Sequence, residues 1–146
     1  MEAVTVRKIS DPALTGACLR LAWEVFREFD GPDCTPEGVE EFRDFVSFRW
    51  KEQPMDFYAA FIGGELAGTL AMRLPGHISL FFVRKEHQGL GVGRALMDTM
   101  LLDHCDGGVT VNSAPYAVGI YKALGFIPTA GEQCVNGIRF TPMQRQ

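Results

Sequence analysis

The stretch Gln88-Gly89-Leu90-Gly91-Val92-Gly93-Arg94 lies between a strongly apolar run, Ile78 to Val83, and a helix-like segment, Ala95 to His104. Strand, glycine loop and helix in that order constrain the chain more than any other feature. The first turn of a helix carries unpaired N–H donors and the positive end of the helix dipole. Glycines let an anion approach those donors closely. The arrangement predicts a pyrophosphate site inside an α/β domain.

Two common pyrophosphate loops do not fit the spacing. A Walker A loop requires Lys-Ser or Lys-Thr after its last glycine, and neither follows here. A dinucleotide fingerprint requires Gly-x-Gly-x-x-Gly/Ala. Counted from Gly89 its last position falls on Arg94, and counted from Gly91 on Leu96. What remains is Gln-x-x-Gly-x-Gly at the end of a strand. This resembles the acetyl-CoA pyrophosphate loop of the GNAT superfamily of N-acetyltransferases. The resemblance extends to Asn112-Ser113-Ala114-Pro115-Tyr116-Ala117 and to Ile120-Tyr121-Lys122-Ala123-Leu124-Gly125-Phe126. The last segment is similar to the Tyr-x-x-Leu-Gly-Phe stretch found late in many members. It covers Ile78 to Phe126, and the N-terminal half is compatible with it.

At 146 residues the chain is expected to form one domain, residues 1–146, with a substantial core. No apolar run approaches the roughly 20 residues of a membrane span, and residues 1–8 hold no apolar stretch of a secretory signal. A cytoplasmic protein with no membrane partner is expected. The formal charge of −4, without a basic stripe, argues against nucleic acid and mildly favours a cationic ligand. The four cysteines, Cys18, Cys34, Cys105 and Cys134, form no Cys-x-x-Cys pair and no zinc spacing with histidine, so no metal is expected. Cys18 and Cys105 fall in helical patterns. Cys34 stands near acidic residues, a poor setting for a thiolate nucleophile.

Ala3 to Lys8 alternates as a short strand. Asp11-Pro12 and Thr35-Pro36 each read as an N-cap followed by proline at the first helical position. The first helix buries Leu14, Ala17, Leu21, Val25 and Phe29 and stops at Asp30-Gly31-Pro32-Asp33. The second runs to about Lys51, with Val39, Phe42, Val46 and Trp50 inward. Phe57–Ile62, Glu65–Arg73 and His77–Val83 form a meander around Gly63-Gly64 and Pro75-Gly76. After the loop helix, Val109–Asn112 is a strand, and Ser113 or Asn112 caps a helix ending at Leu124 and Gly125. Phe126–Gln133 and Ile138–Met143 close the chain around Asn136-Gly137. The order β-αα-βββ-α-β-α-ββ is that of the superfamily fold: α/β, a mixed and mostly antiparallel sheet with helices on both faces.

The resemblance implies an enzyme that moves an acetyl group from acetyl-CoA to a primary amine by direct attack in a ternary complex. Gln88, Gly89, Leu90, Gly91, Val92, Gly93 and Arg94 then hold the pyrophosphate. Phe81, Phe82 and Val83 offer a strand edge to the peptide-like pantetheine arm, and the N–H of Phe81 or Phe82 polarises the thioester carbonyl. Asn112 either contacts the cofactor arm or simply caps a helix. Tyr121 also touches the cofactor and is the candidate acid for the leaving thiolate. An ordinary tyrosine pKa of about 10 exceeds that of a thiol, about 8.5, so a neutral phenol is available. Tyr116 is the weaker substitute. The base is open among Glu24, Glu28, Asp30, Asp33, His77, Ser79 and water. Phe26, Phe29 and Phe45 are the aromatic candidates for the acceptor side. The partner is a small-molecule or peptide amine, and a homodimer stays open. The competing reading is a non-catalytic acyl-CoA-binding or regulatory module on the same fold.

Overall fold

The computed structural model describes residues 3–104 and 107–146, so Cys105 lies outside the described residues. Strand β1 (Val4–Ile9) leads into α1 (Pro12–Val25), where the Asp11 carboxylate accepts the Ala13 N–H at 2.8 Å. The α-helical ladder stops four residues before the Asp30-Gly31 turn. Phe26–Asp30 forms one π turn, closed by Gly31 N–H donating to Phe26 O, and Gly31–Asp33 tightens into a 3₁₀ turn. Helix α2 (Pro36–Ser47) begins at Thr35, whose hydroxyl accepts the Gly38 N–H at 3.2 Å, and gives way to a 3₁₀ turn at Arg49–Glu52. Each helix therefore starts at its predicted cap. Each also ends early in another helical form. On α1 the buried side chains are Thr15, Cys18, Leu19, Leu21, Ala22 and Val25, while Leu14, Ala17 and Phe29 are half-buried.

Strands β2 (Met55–Ile62), β3 (Glu65–Arg73) and β4 (His77–Val83) form the meander. Helix α3 (Val92–Asp103) starts inside the glycine loop, so Val92, Gly93 and Arg94 belong to its first turn. Strand β5 (Val109–Ser113) is followed by a 3₁₀ turn at Pro115–Ala117 and by α4 (Val118–Ala123), which has no side-chain cap. Asn112 and Ser113 are therefore strand residues rather than caps; the Ser113 hydroxyl donates to Ala114 O. The predicted strand Phe126–Gln133 is two short pieces, β6 (Ile127–Pro128) and β7 (Gln133–Val135). Both pair with β8 (Ile138–Arg145). The ladder is interrupted between Pro128 and Gln133, although the Thr129 N–H still donates to Pro142 O at 2.9 Å.

Among the described residues the sheet has eight strands in the order β1-β2-β3-β4-β5-β8-β6, with β7 added on β8, and only β4–β5 is parallel. One face packs α1 and α2 against Phe57, Ala59, Ala71, Leu80 and Phe82. The other packs α3 and α4 against Tyr58, Leu70, Met72, Ile78 and Val111. Ile78 and Leu80 lie on opposite faces although two residues apart. The register explains this: Ala71 pairs with Leu80 and Met72 with Ile78, leaving Ser79 as the extra residue of a β-bulge.

Candidate active site

The bulge at Ser79 marks where β4 leaves β5. The two strands pair only at His77–Thr110 and Ile78–Val111, although β4 runs on to Val83 and β5 to Ser113. Beyond Ile78 one edge of β4 is open. Arg84 N–H donates to Ala67 O on β3 at 2.8 Å. By antiparallel alternation Phe82 and Leu80 also face β3, and the N–H groups of Phe81 and Val83 face the opening. Of the two backbone donors expected from sequence, the geometry therefore presents Phe81. The Phe82 side chain packs under α1 and α2, while the Phe81 ring lies 5.8 Å from the Tyr121 ring.

A cavity of about 410 Å³ runs from this opening to the start of α3. Phe81, Phe82 and Val83 line it from β4, and Gln88, Gly89, Gly91, Val92, Gly93 and Arg94 from the loop. Gly89 and Gly91 adopt φ of +79° and +84°, a left-handed conformation that disfavours other residues. Apart from the glycine and its two chain neighbours, no atom of the described residues lies within 4 Å of where a Cβ would stand on either. Two turns of bare backbone thus face open space at a helix N-terminus, which suits a pyrophosphate. Not every expected group is arranged alike. The Gln88 side chain donates to Val83 O at 3.1 Å, tying the loop to the end of β4. The Arg94 guanidinium reaches Ala123 O at 3.5 Å. Val92 has its side chain buried, and Leu90 is exposed outside the cavity lining.

A second cavity, of about 380 Å³, lies across the opening. Phe26, Asp30, Asp33 and Cys34 line it from the turn after α1, Phe42 from α2, Ser79 from β4 and Asn112 from β5. The β7–β8 hairpin closes it with Val135, Ile138, Arg139 and Phe140. The two cavities share Phe81, Phe82, Tyr116, Ala117 and Tyr121. Tyr121 is buried among Phe81 and Phe126, and burial together with the Asp30 charge pushes its phenol well above the ordinary tyrosine value. It is neutral at every physiological pH. Tyr116 stands beside Asp30 and is shifted upward for the same reasons.

The other candidate bases separate cleanly. Glu24 pairs with Arg84 at 2.9 Å and Glu28 with Lys85 at 3.4 Å, both outside the two cavities. His77 sits at the paired end of β4, hydrogen-bonded to Thr110 at 2.8 Å, and burial plus Arg73 lower it to about 4. Burial, then Asp30 and Asp33, push the Cys34 thiol up, so it is no activated nucleophile. Of the aromatic candidates, Phe26 lines the second cavity. Phe29 instead packs on Tyr116, and Phe45 lies under Arg49. Sequence reasoning missed Phe42, Arg139 and Phe140 as cavity walls. The Asn136-Gly137 turn predicted the hairpin, but nothing local in it says where the hairpin docks.

Residues 31–146 match the family model of the GNAT acetyltransferase domain. The chain belongs to the GNAT acetyltransferase family. No curated protein sequence matched it. Among solved structures it resembles a GCN5-related N-acetyltransferase of Rhodopseudomonas palustris (TM-score 0.80, 18% identity, 100% of this chain and 97% of that one). It is also similar to Escherichia coli ElaA (TM-score 0.72, 18%, 100% of both chains). A third is the PaiA N-acetyltransferase of Thermoplasma acidophilum, solved with coenzyme A (TM-score 0.70, 15%, 99% of both). At these identities the structures share the GNAT fold. Membership of the GNAT family supports an acyltransferase. Among the described residues no helix is long and apolar enough to cross a membrane, and no cluster of His, Cys, Asp or Glu could hold a metal ion.

Proposed function

We propose that this GNAT protein transfers an acetyl group from acetyl-CoA to a primary amine by direct attack in a ternary complex. The observation that carries this reading is the junction of the two cavities at Phe81, Tyr116 and Tyr121. A donor lying in the cavity of the glycine loop and an acceptor in the other meet there without either leaving its site. In this reading the first turn of α3 and the loop glycines hold the pyrophosphate, and the open β4 edge pairs with the pantetheine arm. The Phe81 N–H polarises the thioester carbonyl; one such donor is typically worth about 2.7–4 kcal/mol. Tyr121, buried and neutral, protonates the departing sulfur. Asn112 lines the acceptor cavity and not the donor cavity, so we assign it to the acceptor side.

The test is isothermal titration with acetyl-CoA, with ATP and NAD as controls, followed by thiol release with amines. Micromolar acetyl-CoA binding without ATP or NAD binding is expected. No acetyl-CoA binding sinks the proposal.

A further inference from the structure

The acceptor cavity contains three carboxylates, and the protein uses two of them internally. Glu41 is held by Arg49 at 2.7 Å, and Asp33 faces Arg139 at 3.7 Å. Asp30 is different. Its Oδ1 is buried and has no hydrogen-bond partner among the described residues. A buried carboxylate oxygen without a donor is costly, and such groups are rare in folded proteins. Asp30 is also the last residue of the π turn. One extra residue in the helical ladder re-aims the side chains that follow it, and such turns are frequent at functional sites. Here the carboxyl is turned toward Tyr116 and the cavity that Tyr121 shares.

We infer that Asp30 receives the acceptor's ammonium group and takes its proton, and that the acceptor is a compact monoamine with an apolar body. This rests on the acetyltransferase reading above. An ammonium in the cavity beside the Asp30 carboxyl supplies the countercharge, and a turn of the carboxyl about its Cβ–Cγ bond brings Oδ1 to it as the acceptor of the missing donor. The remaining walls, Phe26, Phe42, Phe82 and Phe140, fit an apolar body of aromatic size within about 380 Å³. A polyamine needs a second free carboxylate; Glu41 is held by Arg49, and Asp33 faces Arg139, whose shorter bonds go to Glu132, so Asp30 is the one of the three with no cation beside it among the described residues. The groups facing Asp30 are Asp33 and Cys34 from the following turn, Tyr116, and Tyr121 from α4. Burial, with the Asp33 charge adding to it and the Tyr116 contact opposing it, raises Asp30 to about 6. That narrows its gap to an alkyl ammonium, ordinarily about 10.4, by about two units.

The proton and electron count closes. The ammonium gives one proton to Asp30 and attacks as the free amine. The C–N bond forms as the carbonyl pair moves onto oxygen. On collapse the C–S bond breaks, its pair leaves with sulfur, and Tyr121 protonates the sulfur. The second proton shed by nitrogen returns to the Tyr121 phenolate, and Asp30 releases its proton to solvent.

The experiment compares wild type, Asp30→Asn and Glu28→Gln with acetyl-CoA and three acceptors: 2-phenylethylamine, spermidine and an acetyl-capped lysine peptide. The wild type is expected to prefer 2-phenylethylamine, with kcat/KM falling below about pH 6. Asp30→Asn is expected to lose about 100-fold in kcat/KM and the acid limb, while its acetyl-CoA Kd stays within about twofold of wild type. Glu28→Gln stays near wild type. The inference is overturned if Asp30→Asn keeps the rate or the limb. It is also overturned if spermidine or the peptide is preferred, or if acetyl-CoA binds and none of the three is acetylated. Should Asp30→Asn fail to fold, the wild-type profile decides: a flat profile across pH 6 overturns the assignment. Failure of the donor reading shows separately, as absent acetyl-CoA binding by the wild type.

Discussion

Tyr121 and Asp30 sit on either side of the same junction, and their environments push both toward the protonated form. For Tyr121 this secures the neutral phenol that an acid needs. Tyr121→Phe is expected to lower kcat about 100-fold with acetyl-CoA Kd changed less than about threefold, measured by thiol release and titration. An unchanged kcat assigns the tyrosine to packing with Phe81 and Phe126. For Asp30 the shift has a cost in stability. A carboxyl raised to about 6 binds more protons folded than unfolded between the ordinary aspartate value and 6. Stability therefore falls as pH rises through that window and stays lower above it. Thermal melts of wild type and Asp30→Asn are expected to agree near pH 4. By pH 7 the variant should be the more stable, by at most about 3 kcal/mol; equal melting at pH 7 refutes the burden. The sequence named Asp30 only as one of several acids. What distinguishes it is tertiary: Glu24 and Glu28 find cations across the fold, at Arg84 and Lys85, and Asp30 does not.

At the scale of elements, the turn of the β7–β8 hairpin is docked on the N-terminus of α2. Thr35 N–H donates to Gly137 O at 3.1 Å, and a Cβ on either Gly38 or Gly137 would strike the other's backbone. Gly137, at φ +81°, also needs its glycine for the turn. Gly38→Ala is expected to cost about 1–3 kcal/mol. It should raise the acceptor KM while leaving acetyl-CoA affinity within about twofold, because the hairpin walls only the acceptor cavity. Gly91→Ala is the reciprocal case. Strain at φ +84° costs about 1–2 kcal/mol, and the donor Kd is expected to weaken about tenfold with acceptor preference unchanged. Local signals were enough to read these elements' beginnings: Asp11-Pro12, Thr35-Pro36, the loop glycines and the Asn136-Gly137 turn. They were not enough for the π turn, the Ser79 bulge or the gap between β6 and β7. Each of those trades a regular hydrogen bond for a fit to distant residues, and no period in the sequence records the trade.

For the whole molecule, the element order and the two helical layers were legible because hydrophobic period and turn residues agree along most of the chain. The parting of β4 from β5 was not, since both strands read as ordinary strands. That parting leaves the sheet joined across its middle by two residue pairs. Within the sheet, β1 to β4 and β5 to β8 meet at a short seam, while the β7–β8 hairpin on α2 and the core shared by α3, β5 and α4 hold the two sides together elsewhere. A donor with an amide-bearing arm, lying along the open edge of β4, would act as a missing rung between them. Saturating acetyl-CoA, at about 100 times its Kd, should add about 2.7 kcal/mol to global stability. Hydrogen exchange should slow most at Phe81, Val83 and the first turn of α3. Protection confined to the loop glycines would mean the arm does not bridge the seam. Under the proposed function the donor would thus also be a fastener: the protein would be most completely folded at the moment it is ready to react.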